Sequence, residues 1–115
     1  MSVRPDSVYL ADIREAIRRI GEYVVGTPYE QFRKDIRTQD AVMRNLEIIG
    51  EATKNISAQF RKQHSTIPWK QMAGLRDRLI HHYFGVNLDI VWGVITEELP
   101  AVANQIETIR KDYLF

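Results

Sequence analysis

The chain has 115 residues, 44% of them apolar, with 16 lysines and arginines against 15 aspartates and glutamates for a net charge of +1. That balance excludes a disordered chain, fits one domain over residues 1–115 with a single core, and leaves any attraction to nucleic acid to a local patch. The absence of cysteine excludes disulfides, thiolate metal sites and a thiol nucleophile.

Near the N-terminus, Arg4, Asp6 and Asp12 stand where a signal peptide needs an apolar run, and no apolar stretch is long enough to span a bilayer. A cytoplasmic protein away from the membrane is expected. From Asp6 to Val25, Leu10, Ile13, Ile17, Ile20 and Val24 follow the three-and-four spacing of an amphipathic helix, with Asp6 or Ser7 as N-cap and Gly26 as C-cap. Thr27-Pro28-Tyr29-Glu30 reads as a capping box that opens a short helix from Pro28 to about Asp35.

A third helix is predicted from Thr38 to about Phe60 on the stripe Val42, Leu46, Ile49, Thr53 and Ile56, with Gly50 permitting a close helix crossing. Arg61 to Thr66 reads as a loop. Pro68 then starts a fourth helix that carries Met72, Leu75 and Leu79 inward and ends at Gly85 in a left-handed cap. Asn87 caps a last helix with the stripe Val91, Ile95, Val102, Ile106 and Ile109, in which Pro100 predicts a kink near Thr96 to Pro100. No stretch alternates long enough to predict a strand. The expected architecture is an all-α helical bundle of four main helices plus one short helix, the last helix kinked at Pro100.

The densest chemistry lies from Gly74 to Gly85, GLRDRLIHHYFG. On one continuous helix, Asp77 and His81 are four apart and share a face, as do Arg78 and His82, while Arg76 and Tyr83 are seven apart on another. Asp77 would orient His81. Arg76 and His81 diverge by roughly 140° around the axis, so the working pair is completed either round the helix end or by a second copy across a two-fold axis. In the last turn of a helix, His81 and His82 would be favoured as imidazolium, and a histidine near neutrality can give or take a proton. Arg76 and Arg78 can hold a phosphate and stabilise charge in a phosphoryl transition state. The competing reading is a solvated face of intrahelical ion pairs with Tyr83 as an ordinary half-buried aromatic.

At these residues the chain resembles the HEPN superfamily, whose signature is an arginine, four to six residues, and a histidine. Its HepT-like branch extends this to arginine, four residues, histidine, any residue, tyrosine, which Arg76, His81 and Tyr83 meet. The likeness also covers Arg44-Asn45-Leu46-Glu47-Ile48-Ile49-Gly50-Glu51-Ala52, Ile67-Pro68-Trp69, Tyr83-Phe84-Gly85-Val86 and Val91-Trp92. Asn87 departs from the aspartate of many relatives, but either residue caps a helix.

The resemblance implies a homodimeric helical bundle acting as a metal-independent ribonuclease toxin, in which the ribose 2′-hydroxyl attacks the adjacent phosphate and leaves a cyclic phosphate end. It implies proton transfer by His81, phosphate binding by Arg76, a supporting role for Asp77 and a catalytic neighbour in Tyr83. Spacing alone does not separate His81 from His82, which lies at the variable position of the motif; Arg78 and His82 are expected as substrate contacts. The implied partner is a small MntA-like nucleotidyltransferase antitoxin that transfers AMP to Tyr83, where a bulky anionic group would oppose an RNA backbone. No cofactor and no metal are expected: Glu47, Glu51, Glu97 and Glu98 lack the Glu-x-x-His spacing of a bundle metal site. Glu47 or Asp40 would instead support the arginines or the dimer contact. Trp69 and Trp92 read as structural aromatics, and Arg33, Lys34, Arg37, Arg61, Lys62 and Lys70 as solvated surface. The alternative function is a non-catalytic dimer module that binds a nucleotide or docks a nucleotidyltransferase, and the plainest is a domain that only dimerises.

Overall fold

The computed structural model describes residues 5–81 and 85–112, with His81 described through its backbone alone. The fold is all-α. In chain order it comprises α1 (Asp6–Val24), α2 (Tyr29–Lys34), α3 (Ile36–Lys54), α4 (Ala58–Gln63), α5 (Trp69–Ala73) and α6 (Leu75–Leu79). There follow two-residue strands β1 (Ile80–His81) and β2 (Gly85–Val86), then α7 (Leu88–Gly93), a π-helical turn (Val94–Glu98) and α8 (Leu99–Arg110).

The predicted apolar stripes form the core. Leu10, Ile13 and Ile20 of α1 are buried with Val42, Leu46 and Ile49 of α3, and these two long helices make the most extensive contact in the fold. Val102, Ile106 and Ile109 bring α8 onto the same core, and Arg14 of α1 pairs with Glu107 of α8 at 2.5 Å on the rim. Among the described residues no helix is long and apolar enough to cross a membrane.

Several boundaries differ from expectation for local reasons. Pro5 is the N-cap of α1, because the Asp6 carboxylate instead accepts from the Ser57 N–H at 2.8 Å and the Ser57 hydroxyl at 2.7 Å. The Ser57 hydroxyl in turn accepts from the Phe60 N–H and caps α4. The predicted third helix therefore ends at Lys54, and part of the expected loop from Arg61 is helical. Pro28, without a side-chain cap, precedes α2, so the expected capping box is absent. Gly26 ends α1 with φ +68° as predicted. Asp35 caps α3 by accepting from the Thr38 N–H at 3.1 Å and hydroxyl at 2.6 Å.

Two expectations concern elements that frame the motif. A Cβ built on Gly50 would lie 3.4 Å from the Met72 carbonyl oxygen and 3.7 Å from that of Ala73, so α3 and α5 do cross closely there. The interruption expected near Pro100 takes the form of the π turn: the Leu99 N–H reaches back to the Val94 carbonyl, and proline has no N–H to return the next bond to the α register.

Candidate active site

The fourth helix is not continuous. Gly74 ends α5 and starts α6, its N–H bonding Lys70 O and its carbonyl accepting from Arg78, each at 3.1 Å. Arg76, Asp77 and Arg78 occupy the single helical turn that follows, and α6 stops at Leu79.

Beyond it the chain is extended. Ile80 has φ −110° and ψ 117°, and Ile80 and His81 pair antiparallel with Val86 and Gly85 respectively. Asn87 N–H closes the reversal onto Leu79 O at 3.0 Å. Gly85 has φ +74°, so the left-handed residue expected there exists, but it serves the return strand and not a helix cap. A β-branched residue followed by histidines and aromatics has no strong helix preference, and pairing with the returning backbone decides the local form.

This corrects the helical geometry expected for the motif. Asp77 and His81 are not helical neighbours one turn apart, and His81 does not sit in a last helical turn where the helix dipole would favour its charged form. Arg76 and His81 instead lie on two elements, α6 and β1, joined through Leu79 and Ile80. His82 and Tyr83 lie outside the described residues.

The two arginines of α6 have different surroundings. Arg78 forks onto Glu98 of the π turn, with both guanidinium nitrogens 3.0 Å from carboxylate oxygens. That pairing raises the Arg78 pKa above its ordinary value against a smaller opposing effect of burial. Arg76 is exposed and lines a groove of about 300 Å³ with Ala73 and, from α3, Arg44, Glu47, Gly50, Glu51 and Lys54. Asp77 is also exposed.

Residues 44, 47, 51 and 54 recur at steps of three and four, which places them along one face of α3. Sequence reading singled out Glu47 and Glu51 but missed Arg44 and Lys54 as neighbours of Arg76. That spacing, together with the close crossing at Gly50, is the signal that could have found them.

On the far side of the hairpin, Asn87 accepts from the Ile90 N–H and caps α7 as predicted. Asp89 accepts a hydrogen bond from the Tyr29 hydroxyl, and this bond raises the tyrosine pKa. Trp92 packs at 5.1 Å from Phe32 and 5.5 Å from Tyr29, while Trp69 is buried with its indole N–H donating to His64 O. Both tryptophans are structural.

Comparison with known proteins connects this arrangement to one family. Residues 13–109 match the family described as Ribonuclease HepT-like. The chain is 48% identical over 103 residues to "Probable ribonuclease HepT" of Thermococcus cleftensis, covering 90% of this chain and 94% of that one. It is 30% identical over 127 residues to "mRNA nuclease HepT" of Shewanella oneidensis, again covering 90% and 94%. No solved structure matches. With the family match spanning α1 to α8 and enclosing the whole of Arg76 to Tyr83, the chain belongs to the Ribonuclease HepT-like family.

Proposed function

We propose that the protein is a toxin-like, metal-independent endoribonuclease that acts as a homodimer. The observation that carries this reading is Arg76: it opens the family motif, it is exposed in the α3 groove, and it has no ion pair with a described residue. A guanidinium with no ion pair among the described residues is available to a phosphate, which it can grip with two parallel N–H donors.

In the proposed reaction Arg76 holds the scissile phosphate and offsets the charge that builds on its oxygens. His81 takes the proton of the ribose 2′-hydroxyl, the 2′-oxygen forms its bond to phosphorus, and the bond to the 5′-oxygen breaks with a proton delivered to that leaving oxygen. The products are a 2′,3′-cyclic phosphate and a 5′-hydroxyl. Attack and departure occur on opposite sides of the phosphorus, so a base and an acid are needed together. A two-fold dimer supplies His81 from each copy to one cleft. Asp77 supports the motif, and His82 contacts substrate. Arg78, expected as a substrate contact, is proposed instead to hold α6, and hence Arg76, in place through its fork to Glu98.

The proposal includes control by a nucleotidyltransferase antitoxin that transfers AMP to the Tyr83 hydroxyl, with pyrophosphate leaving from ATP. The added phosphate would occupy the cleft and repel the RNA backbone. The test of the catalytic reading is cleavage of RNA in EDTA by the protein and by Arg76→Ala and His81→Ala, with dimerisation measured in parallel. Cleavage by the parent and its loss in both folded, dimeric variants is expected. RNA left intact, or cut only when a divalent metal is added, would overturn the reading.

A further inference from the structure

Two carboxylates in the Arg76 groove have no part in the reaction above. Glu47 and Glu51 are exposed one turn apart on α3 and line the same groove as Arg44, Lys54 and Arg76. Among the described residues none of these five forms an ion pair, although Arg14, Arg18, Arg19, Arg33, Arg78 and Arg110 all do. The groove thus presents cations and carboxylates that are not satisfied by one another.

At a rise of 1.5 Å per residue, Arg44 and Lys54 stand roughly 15 Å apart along α3, with the two carboxylates between them. Cations at the two ends suit phosphates of one strand. Ionised carboxylates only accept hydrogen bonds, so a strand lying between must turn donors toward them. On single-stranded RNA those donors are 2′-hydroxyls and the edges of unstacked bases.

The four bases differ in what they offer a carboxylate. Guanine presents N1–H and N2–H side by side, two parallel donors matched to two carboxylate oxygens. Adenine and cytosine place a ring acceptor beside the amino group, and uracil flanks N3–H with two carbonyls, so each would set an acceptor against a carboxylate lone pair.

We propose that the α3 groove is a guanine-reading subsite, in which Arg44 and Lys54 hold flanking phosphates and Glu47 and Glu51 accept from the guanine edge. This rests on the reading of Arg76 as an RNA-binding residue, and it assigns base preference to α3 and not to the motif.

The test is binding of short 2′-O-methyl RNA oligomers, measured by fluorescence anisotropy at one fixed salt concentration. They lack the attacking hydroxyl and the 2′-hydroxyl donors, so base discrimination is read without cleavage. One position is varied among guanine, adenine, cytosine and uracil. Guanine should bind about tenfold more tightly than the others, and the ratio should fall to about one in the Glu47→Gln/Glu51→Gln variant. Affinity for the adenine, cytosine and uracil oligomers should rise in that variant, since two negative charges are gone, while guanine loses the contacts that offset that charge, so the ratio is the readout. Equal affinities in the parent, no binding of any oligomer, or a guanine preference that survives in the variant would each overturn the subsite. A protein that discriminates guanine but leaves ordinary RNA intact would overturn the nuclease reading alone, and one that cuts RNA without base discrimination would overturn the subsite alone.

Discussion

Arg78 and Glu98 join α6 to the π turn through two hydrogen bonds of 3.0 Å. Arg76, two residues earlier, has no ion pair with a described residue and faces the α3 groove. One helical turn therefore carries one arginine that fastens it and another that is free to bind. Loss of the fastening should cost stability of well under about 1 kcal/mol, because both partners are partly exposed. Its larger effect should be on turnover. Arg78→Ala and Glu98→Ala should each lower the rate of RNA cleavage several-fold, and the charge-reversed pair Arg78→Glu/Glu98→Arg should regain much of it. A reversed pair no better than the singles would show that the fork does not position α6.

The crossing at Gly50 gives a packing prediction. Alanine places its methyl 3.4 Å from the Met72 carbonyl oxygen and should fold with little change. Valine must push α5 away from α3, and overpacking of this kind costs about 1–3 kcal/mol. Chemical denaturation of Gly50→Ala and Gly50→Val should separate the two, and equal stability would show that the crossing relaxes freely.

Asp35 supplies a pH dependence. Hydrogen bonds from the Thr38 hydroxyl, and then from the Thr38 N–H, hold its carboxyl below the ordinary carboxylate range. A lowered folded-state pKa means that the unfolded chain binds the proton more readily. The cap therefore stabilises the fold fully above the unfolded value of about 3.9 and is lost as pH falls through the folded value. Replacement by asparagine, which still caps, should flatten the acid limb of the stability profile while preserving much of the stability at neutral pH. An unchanged acid limb in Asp35→Asn would contradict this.

Regulation at Tyr83 is tested by incubating the protein with a cognate nucleotidyltransferase and ATP. A peptide containing Tyr83 should gain the mass of AMP, with cleavage of RNA falling in proportion. The Tyr83→Phe variant should gain none. Modification of that variant at another tyrosine would move the regulatory site elsewhere.

The parts of the fold that were legible in the sequence are those set by side-chain period and by single special residues. The stripes from Leu10 to Ile20 and from Val42 to Ile49 became buried faces, and Gly26, Gly50 and Asn87 serve as a left-handed helix end, a close crossing and a cap. The break after Lys54 was hidden because Ile56 and Phe60 continue the apolar pattern across it and are both buried. A chain can leave one helix and enter another without losing its inward face. The motif was misread for the opposite reason. Leu75 and Leu79 satisfy a helical period, but the next residues are governed by pairing with Gly85 and Val86, a contact that no local spacing announces. The residues of the motif were nevertheless legible by type, whereas the groove that surrounds Arg76 depends on α3 crossing α5 and became visible only in three dimensions.

The chemistry of the cut ends tests the central claim most directly. RNA incubated with the protein in excess EDTA should yield fragments ending in 2′,3′-cyclic phosphate and beginning with 5′-hydroxyl, identified by mass, and neither Arg76→Ala nor His81→Ala should produce them. Fragments with 5′-phosphate and 3′-hydroxyl ends, or fragments formed equally by both variants, would contradict a mechanism built on Arg76 and His81.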